Sequence, residues 1–549
     1  MTRTDGRSEL DSRFVILCGA VLAIFCVHAA YLVCLTEDAF ITYRFASNWV
    51  AGHGLVWNPS EAPVEGYTNF LWLVVCSGLL LLDIDLPFAT QAIGLAASVG
   101  VLVLTWRLAR FAGASAQQSL LPCLALACSG PFAAWASSGM ETSLFTLLVV
   151  AAMGFAARWA VESGPGTRAA IGASAMLVLA TLTRPEGALV AAVVGGFALV
   201  HLLKDSKRSR TGAYAAAGGY AVLAGAYLMW RWYYFGYPLP NTFYAKTGGG
   251  IAQAMRGAGY VGLFALHFLL PWLVSAGVWV IAGRNRSHGV MREPIVVLFA
   301  ALVAVYTAYI AAVGGDYMAM YRFFVPVLPA LYLVLTAVVV QSLAGIGVAP
   351  MRMSLIKAGV LAGLIGTGFH STPIEARFVE KPDFMHGNLR GVELERWYVA
   401  RQRLIGRFFA RYGRPGESLA TGAIGAVAWE SKLRVFDVHG IVDPHIAHHG
   451  VAREALGTGL PGHEKTDYEY IFDKKPTFYM FSRKLRRKPL AGIPQLVPEV
   501  DERVAREYKV GSVMLEDRAN GQSGYFSFLE RRDRADVRAG KPRHAPAAP

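Results

Sequence analysis

The sequence predicts a polytopic α-helical membrane protein, with about eleven transmembrane helices, an outer interfacial helix and a C-terminal soluble α/β domain. Three observations predict this class. The 549 residues are 54% hydrophobic and only 16% charged, with a mean hydropathy of +0.39, which is too apolar for a soluble protein of this length. Long apolar segments recur up to residue 370 and are missing from residues 371–549. Basic residues concentrate in alternate loops between the apolar segments.

The first apolar segment, residues 14–36, follows Arg3, Arg7 and Arg13. It is longer than the hydrophobic region of a signal peptide, so we interpret it as an uncleaved helix with a cytoplasmic N-terminus. The apolar run 70–82 has only thirteen residues. Because such a helix rises about 20 Å, short of a hydrocarbon core of about 30 Å, we predict a helix at the outer interface.

The remaining predicted spans are 88–106, 118–136, 141–157, 169–183, 187–203, 212–232, 260–282, 294–313, 323–344 and 355–370. This arrangement places 16 Lys and Arg residues inside and 6 in the outer connections. Treating 70–82 as a span would reverse that bias. We therefore expect a multi-pass protein of the cell membrane with an extracytoplasmic C-terminal region. The net charge of +14 is a topology signal and does not indicate nucleic-acid binding.

The predicted domains are a membrane domain at 1–370, whose first outer loop is 37–87, an extracytoplasmic α/β domain at 371–533 and a disordered basic tail at 534–549. In the α/β domain, strands are predicted at 418–421, 434–438, 477–481, 509–515 and 525–529, and helices at 391–411, 423–430 and 464–473. The six cysteines all lie between Cys18 and Cys128, so they predict no disulfide framework for the C-terminal region.

The first outer loop opens with two adjacent acids, Glu37 and Asp38, and runs for more than thirty polar and aromatic residues. A loop of this length in a membrane chain is usually functional or disordered, and its aromatic residues indicate a folded loop. Other outer connections add ionisable and amide groups at the membrane boundary, where they tend to be paired or functional. These groups are Glu141, Arg184, Glu186, Asn241, Tyr244, Lys246, Asp316 and Arg322.

A carboxylate in an outer cavity can act as a general base on a sugar hydroxyl that attacks an anomeric carbon. Lys246, Arg322 and Arg231 are candidates to hold a phosphate leaving group, because cationic donors stabilise the charge that develops on it. Asp38 and Glu141 are also compatible with a divalent cation, an alternative that the residues leave open.

Each candidate also has a structural interpretation. Asp38 suits the N-cap of a helix that starts at Ala39, Arg184 and Glu186 suit a helix break with an intramembrane ion pair, and Lys246 suits an interfacial anchor. The run from His439 to His449 favours loop packing over metal binding, because its spacing matches no zinc pattern. The turn Gly422–Gly425 lacks the full dinucleotide-binding motif, and the basic run 483–488 is most simply a solvated face or a contact with anionic lipid.

The motifs EDAFITYR, GHGLVWNP and EGYTNFLW resemble the first outer loop of the GT-C class of polyprenyl-phosphate-dependent membrane glycosyltransferases. Within that class the chain is most similar to the mycobacterial terminal β-(1→2) arabinofuranosyltransferase and its relatives. SSGMETSLF, TRPEG, PNTFYAK, GGDYM, VDPHIA and PGHEK extend the resemblance over nearly the whole chain.

The resemblance implies a lipid-linked sugar donor, transfer to a cell-envelope glycan or glycolipid, possible use of arabinofuranose or another pentose, and a base in the acidic pair. Relatives commonly have two aspartates where this chain has Glu37 and Asp38. The spacing from Asp38 to Arg44 also resembles the oligosaccharyltransferase branch, whose base-side aspartate corresponds to Asp38, so we assign the base to Asp38, with Glu37 as its orienting partner or as a second candidate for the base. The substrate-binding residues that we predict are Arg44, His53, Glu65, Tyr67, Asn69, Glu141, Arg184, Glu186, Asn241, Tyr244 and Asp316. The alternatives are a transporter or flippase of lipid-linked sugars and a non-catalytic scaffold.

Overall fold

A computed structural model describes residues 12–161, 166–204, 210–269, 294–344, 389–452, 456–494, 496 and 498–534. The predicted span at 355–370, most of the predicted span at 260–282, the predicted domain boundary at 370 and the predicted tail from residue 535 onward lie outside these residues. The described chain divides into two compact units, which are Met1–Cys34 with Thr90–Tyr227 and Ala254–Val392, and Leu35–Ala89 with Leu228–Gln253 and Glu393–Pro549.

The helices up to residue 344 are α1 (Ser12–Tyr31), α2 (Ala39–Val50), α3 (Phe70–Leu81), α4 (Leu86–Phe111), α5 (Leu120–Cys128), α6 (Gly130–Trp135), α7 (Thr142–Val161), α8 (Thr167–Thr183), α9 (Glu186–Lys204), α10 (Arg210–Phe235), α11 (Asn241–Lys246), α12 (Gly250–Phe264), α13 (Pro294–Ala312) and α14 (Leu328–Ala344). A π-helical turn (Ala265–Leu269) follows α12, and a 3₁₀ helix (Arg322–Val327) precedes α14.

Within the described residues, five helices are long and apolar enough to cross a membrane: Phe14–Tyr31, Leu86–Phe111, Thr142–Val161, Glu186–Lys204 and Pro294–Ala312. They belong chiefly to the first unit, where α7 packs on α8 and α8 on α9. Small residues bring helices close together there. A Cβ built on Gly94 of α4 would lie 2.4 Å from the carbonyl oxygen of Ala136, so this approach of the chain to α4 requires glycine.

Two predicted spans are interrupted in the structure. The segment predicted at 118–136 forms α5 and α6, because Ser129 between them has an extended backbone with a ψ of 116° and Pro131 then starts the new helix. The segment predicted at 323–344 begins as the 3₁₀ helix, with Pro326 inside it, and becomes α-helical only at Leu328. Proline accompanies both interruptions, at the start of α6 in the first case and inside the 3₁₀ helix in the second.

The second unit contains a mixed five-stranded sheet. Its strands are β1 (Ser418–Thr421), β2 (Arg434–Asp437), β5 (Phe478–Met480), β6 (Tyr508–Asp517) and β7 (Gln522–Arg531), in the order β2-β1-β5-β7-β6. Strands β2, β1 and β5 are parallel, whereas β7 is antiparallel to both β5 and β6. A separate two-stranded sheet pairs β3 (Val451–Ala452) with β4 (Lys465–Thr466). All five strands that the sequence predicts are present.

The helices of this region are α15 (Leu389–Tyr412), α16 (Ala426–Ser431), α17 (Pro444–His449), α18 (Tyr468–Asp473) and α19 (Pro498–Glu507). The helix predicted at 423–430 starts later, at Ala426, and the one predicted at 464–473 starts at Tyr468. In the second case Asp467 caps the helix, since its side chain accepts a hydrogen bond from the Tyr470 amide.

The first outer loop and the C-terminal sheet share one hydrophobic core. Phe45 of α2 and Trp57 of the loop are 0% and 2% exposed, and they pack in the same cluster as Leu419 of β1, Val435 of β2 and Phe478 of β5. The Trp57 indole also donates a hydrogen bond to the carbonyl oxygen of Val435. The loop is therefore an integral layer of the α/β unit, as its aromatic content suggested.

Candidate functional site

The structure divides the predicted site residues between the two units. The first unit holds Glu141, Arg184, Glu186, Asp316 and Arg322. The second unit holds Glu37, Asp38, Arg44, His53, Glu65, Tyr67, Asn69, Arg231, Asn241, Tyr244 and Lys246.

In the first unit, Arg184 lies at the break between α8 and α9 and bonds two carboxylates. Its Nη1 donates to Glu141 Oε1 at 2.7 Å, while Nη2 and Nε donate to the two oxygens of Glu186 at 2.7 and 3.3 Å. All three residues are buried. The break is therefore a buried ion pair, as its structural interpretation anticipated, with Glu141 as a second carboxylate.

A second buried pair joins Arg322, at the start of the 3₁₀ helix, to Asp316. Arg322 Nε and Nη2 donate to Asp316 Oδ2 and Oδ1 at 2.6 and 3.1 Å, which is the two-pronged geometry that arginine favours. The guanidinium carbons of Arg184 and Arg322 lie 5.6 and 5.3 Å from the centre of the Phe323 ring. These five charged residues and one aromatic ring form what we call the arginine cluster.

In the second unit, the acidic pair lies directly before α2. Glu37 Oε1 accepts hydrogen bonds from the backbone amides of Gly425 at 2.6 Å and Ala426 at 3.1 Å, in the turn between β1 and α16. The backbone amide of Glu37 donates to Glu395 Oε1 of α15 at 3.0 Å. Glu37 is thus held by both its side chain and its backbone.

The contact between Glu37 and the turn requires glycine at position 425. A Cβ built there would lie 2.1 Å from the Glu37 carbonyl oxygen and 2.7 Å from its carboxyl carbon. The turn Gly422–Gly425 lacks the full dinucleotide-binding motif. Its end at Gly425 binds the Glu37 carboxyl group of the same chain.

Burial raises the pKa of Glu37 to about 8, and the neighbouring carboxylates of Asp38 and Glu395 raise it further than the two amide bonds lower it. Glu37 is consequently protonated at neutral pH and a poor proton acceptor there. Asp38 is only partly buried and occupies the N-cap position of α2, but its side chain makes no capping hydrogen bond. Capping therefore does not account for Asp38.

Glu65 and Arg231 form a buried pair in the same unit. Arg231 Nε donates to both Glu65 oxygens at 3.0 and 3.1 Å, and Arg231 Nη1 donates to the Pro238 carbonyl at 2.9 Å. The Asn241 amide donates to the Glu65 carbonyl, and the Asn241 side chain donates to the carbonyl oxygens of Gly440 and Ile441. Glu65, Arg231 and Asn241 hold the loop, α10 and α11 to the C-terminal region.

Arg44 has a similar role, although we predicted it to bind substrate. Its guanidinium donates to the carbonyl oxygens of Trp57, Ala428 and Leu433 and to Asn58 Oδ1, at 2.8 to 3.0 Å. Burial lowers its pKa to about 10. Two of these bonds hold α2 to Trp57 and Asn58 of the loop, and the other two hold it to Ala428 in α16 and to Leu433 just after that helix.

The other predicted loop residues differ in exposure. Asn69 is buried and exchanges hydrogen bonds with Thr42, Tyr67 is buried against Phe45, and His53 is exposed. The rings of Tyr244 and His448 pack with their centres 4.2 Å apart and their planes inclined by 35°, which agrees with packing as the role of the histidine run. Of the three predicted phosphate ligands, Arg231 and Arg322 are buried against carboxylates, and Lys246 is partly exposed.

Glu395 and Gly425 contact Glu37 but were not predicted from the sequence as site residues. Glu395 is one of many charged positions on the amphipathic helix α15, so no local motif distinguishes it. The GxxG spacing of the turn drew attention to Gly425, but it did not indicate that Glu37 is the group that contacts the turn. Among the described residues, no group of three or more His, Cys, Asp or Glu side chains is arranged to hold a metal ion.

Comparisons with known proteins give two findings. Residues 390–529 match the model of a domain of unknown function, DUF8728. No curated protein matches the sequence.

Two crystal structures of ArnT from Cupriavidus metallidurans are similar to nearly the whole chain. The apo state has a TM-score of 0.54 at 11% identity, covering 94% of this chain and 97% of that chain. The structure bound to undecaprenyl phosphate has a TM-score of 0.55 at 11% identity, covering 96% and 99%. At this identity the likeness concerns the fold, and it confirms the predicted class: the chain has an ArnT-like GT-C fold, that of a polytopic membrane protein with a C-terminal α/β region.

Proposed function

We propose that this protein is an integral membrane glycosyltransferase that moves a sugar from a polyprenyl-phosphate donor to a glycan or glycolipid hydroxyl. The observation that carries the proposal is the full-length likeness to ArnT, which has been crystallised with undecaprenyl phosphate. The GT-C loop motifs that begin at Glu37 support the same function. We further propose a pentofuranose such as arabinofuranose as the sugar, on the loop resemblance alone, and an extracytoplasmic site.

In the proposed reaction Asp38 is the general base. Its carboxylate takes the proton of the acceptor hydroxyl while that oxygen bonds to the anomeric carbon of the donor sugar. The bond from the anomeric carbon to the phosphate oxygen breaks at the same time, and polyprenyl phosphate leaves with the electron pair. A single displacement of this kind inverts the anomeric configuration.

Glu37 positions Asp38 in this proposal. The Gly425 and Ala426 amides and the Glu395 carboxylate hold Glu37 at both its side chain and backbone, and Asp38 is the next residue. A neutral Glu37 also adds no negative charge beside the base. The pKa of Glu37, about 8, favours Asp38 as the proton acceptor at neutral pH.

Lys246 is the proposed ligand of the donor phosphate. Lys246 is a partly exposed residue, whereas Arg231 and Arg322 are buried. Arg231 and Arg322, the other two cations of the prediction, each bond a carboxylate through two nitrogen atoms. They would have to break these pairs to reach a phosphate.

The test is a transfer assay with the full chain in lipid nanodiscs, a synthetic polyprenyl-phosphate arabinofuranose and an oligosaccharide acceptor. We expect Asp38→Asn to lower the transfer rate by about 100-fold or more, the range for loss of a general base. Asp83→Asn is the matched control, since Asp83 is exposed and we expect its variant to keep the wild-type rate. Running the assay with EDTA tests the divalent-cation alternative.

A folded Asp38→Asn variant that transfers sugar at the wild-type rate would refute the proposed mechanism. Proteoliposomes with the same donor and no acceptor test the transporter alternative. Movement of the intact donor across the bilayer, with no transfer by the wild type, would replace the transferase proposal.

A further inference from the structure

Three parallel strands of the second unit end at the same edge of the sheet. Gly422 directly follows β1, His439 follows β2 by two residues and Arg483 follows β5 by three. In α/β sheets, ligands bind outside the carboxyl ends of the parallel strands. His439, His463 and Arg483 lie at or near this edge and have no role in the proposed reaction.

A histidine pair lies at this edge. A Cβ built on Gly422 would be 2.5 Å from His439 Nε2, so the imidazole lies against the backbone just beyond β1. The ring of His463 is 4.8 Å from that of His439 and inclined to it by 62°. Glycine at position 422 thus admits a ring that any larger residue would displace.

Two cations converge on His463. The Lys246 side chain passes Gly462, where a built Cβ would lie 3.0 Å from Lys246 Cε. Burial lowers the pKa of His463 to about 3, with smaller contributions from the neighbouring His439 and from the charges of Arg483 and Lys246. His463 is therefore neutral at physiological pH, and the fixed positive charge of the edge comes from Arg483 and Lys246.

The loop that carries His463 is held in place by its own side chains. Glu464 Oε1 accepts hydrogen bonds from the amides of Gly457 and Gly459 at 2.8 and 2.9 Å. His463 Nδ1 lies 3.3 Å from the Pro461 carbonyl oxygen. The PGHEK motif therefore builds a defined loop, which an arrangement for ligand binding requires.

Arg483 differs from the rest of its basic run. Lys484, Arg486, Arg487 and Lys488 are exposed, as a solvated face predicts, but Arg483 is partly buried and its Nη1 donates to the Tyr398 hydroxyl at 3.3 Å. Tyr398 is three residues after Glu395, on the same face of α15, and burial together with the negative charge of Glu395 raises the pKa of its hydroxyl. One face of α15 thus contacts both Arg483, through Tyr398, and the backbone of Glu37, through Glu395.

We propose that Arg483 and Lys246, beside His439 and His463, form a binding site for the phosphate group of a phosphorylated lipid or sugar. Two fixed cations at the carboxyl edge of a sheet match the charge of a phosphate, and a fork-shaped guanidinium suits its oxygens. The inference rests on the proposed function only for the role of that phosphate, which would be the leaving group of the donor. It adds Arg483 and the histidine pair to Lys246 as the phosphate site.

The test is equilibrium binding of undecaprenyl phosphate to the full chain in nanodiscs, with inorganic phosphate as a competitor and undecaprenol as the lipid that lacks phosphate. We expect Arg483→Gln and Lys246→Gln each to weaken binding about tenfold or more, since each removes a charge-assisted contact. Arg483→Lys should keep more of the affinity than Arg483→Gln. Lys484→Gln, which removes a neighbouring exposed charge, should bind like the wild type.

Competition by inorganic phosphate in the wild type and not in Arg483→Gln would indicate that the phosphate group alone is recognised. Selective binding of undecaprenyl phosphate over undecaprenol, without such competition, would indicate a lipid-borne phosphate. The proposal is overturned if both Gln variants bind like the wild type in folded form, as judged by their thermal unfolding, or if Lys484→Gln loses as much affinity as Arg483→Gln. Because no sugar is transferred in this assay, its result is independent of the Asp38→Asn test.

Discussion

The arginine cluster of the first unit and the acidic pair of the second unit contain similar numbers of carboxylates but neutralise them differently. Glu141, Glu186 and Asp316 each accept hydrogen bonds from a guanidinium within 2.6 to 3.3 Å. Glu37 instead accepts hydrogen bonds from two backbone amides. Burial and the neighbouring acids Asp38 and Glu395 raise its pKa to about 8, although the two amides lower it.

This difference separates charges that stabilise a fold from charges that can exchange a proton. A guanidinium favours the charged form of a carboxylate that it bonds, and the pair then holds two segments of the chain together. A carboxyl group that is buried beside other acids titrates near neutral pH, as groups at functional sites often do. We therefore expect substitutions in the acidic pair to change mainly the transfer rate, and substitutions in the arginine cluster to change mainly the free energy of unfolding.

The largest effect on stability is expected from Arg184→Gln. The variant leaves Glu141 and Glu186 as buried carboxylates without their guanidinium, and breaking a buried pair in this way costs about 3–5 kcal/mol. The free energy of unfolding in detergent micelles measures the loss. Arg168→Gln, at an exposed position of α8, should change it by less than about 0.5 kcal/mol. Equal stability of the two variants would mean that the arginine cluster does not stabilise the first unit.

A smaller and more selective effect is expected from Gly425→Ala. The added methyl group would collide with the carbonyl and carboxyl groups of Glu37, which must then shift with Asp38. We expect the transfer rate to fall about tenfold or more, because a displacement of 1 Å at a reacting group has effects of this size. Gly492→Ala, where a built Cβ meets nothing within 4 Å, is the control. A wild-type transfer rate in Gly425→Ala would show that the contact between the turn and Glu37 does not affect the reaction.

The smallest effect at neutral pH, with a distinct pH signature, is expected from Glu37→Gln. The folded-state pKa of about 8 exceeds the ordinary value of 4.5, so the neutral carboxyl stabilises the fold fully below pH 4.5, and this contribution is lost as pH rises to about 8. Thermal unfolding between pH 5 and 9 should show a steeper loss of stability with pH in the wild type than in Glu37→Gln. The transfer rate should also fall above pH 8 in the wild type alone. Parallel profiles would contradict a titrating Glu37.

Local patterns predicted much of the fold. Alternating and apolar runs located all five strands of the main sheet, and the apolar run 70–82 located a helix, which the structure has as α3 at Phe70–Leu81. The pairing of Arg184 with Glu186 was also anticipated, because two residues on either side of one proline must lie close together. These features depend on neighbours in the sequence.

The contacts that build the acidic site were not predictable in this way. The bond from Gly425 to Glu37 spans 388 residues, and the one from Glu37 to Glu395 spans 358. Arg44 was predicted as a substrate-binding residue, and the local sequence gives no sign that two of its four acceptors, Ala428 and Leu433, come from more than 380 residues away. Arg483 was likewise grouped with exposed neighbours, since sequence spacing does not reveal which member of a basic run turns inward.

The shared core of the first outer loop and the C-terminal sheet sets an order for biosynthesis. Phe45 and Trp57 are synthesised more than 350 residues before the strands β1 and β2 that cover them. The loop can therefore bury these aromatic side chains against the sheet only after the ribosome has synthesised the chain as far as Asp437. Assembly of the acidic pair is thus a late step of biosynthesis, and a chain that terminated before Gly425 would carry Glu37 and Asp38 without the turn that organises them.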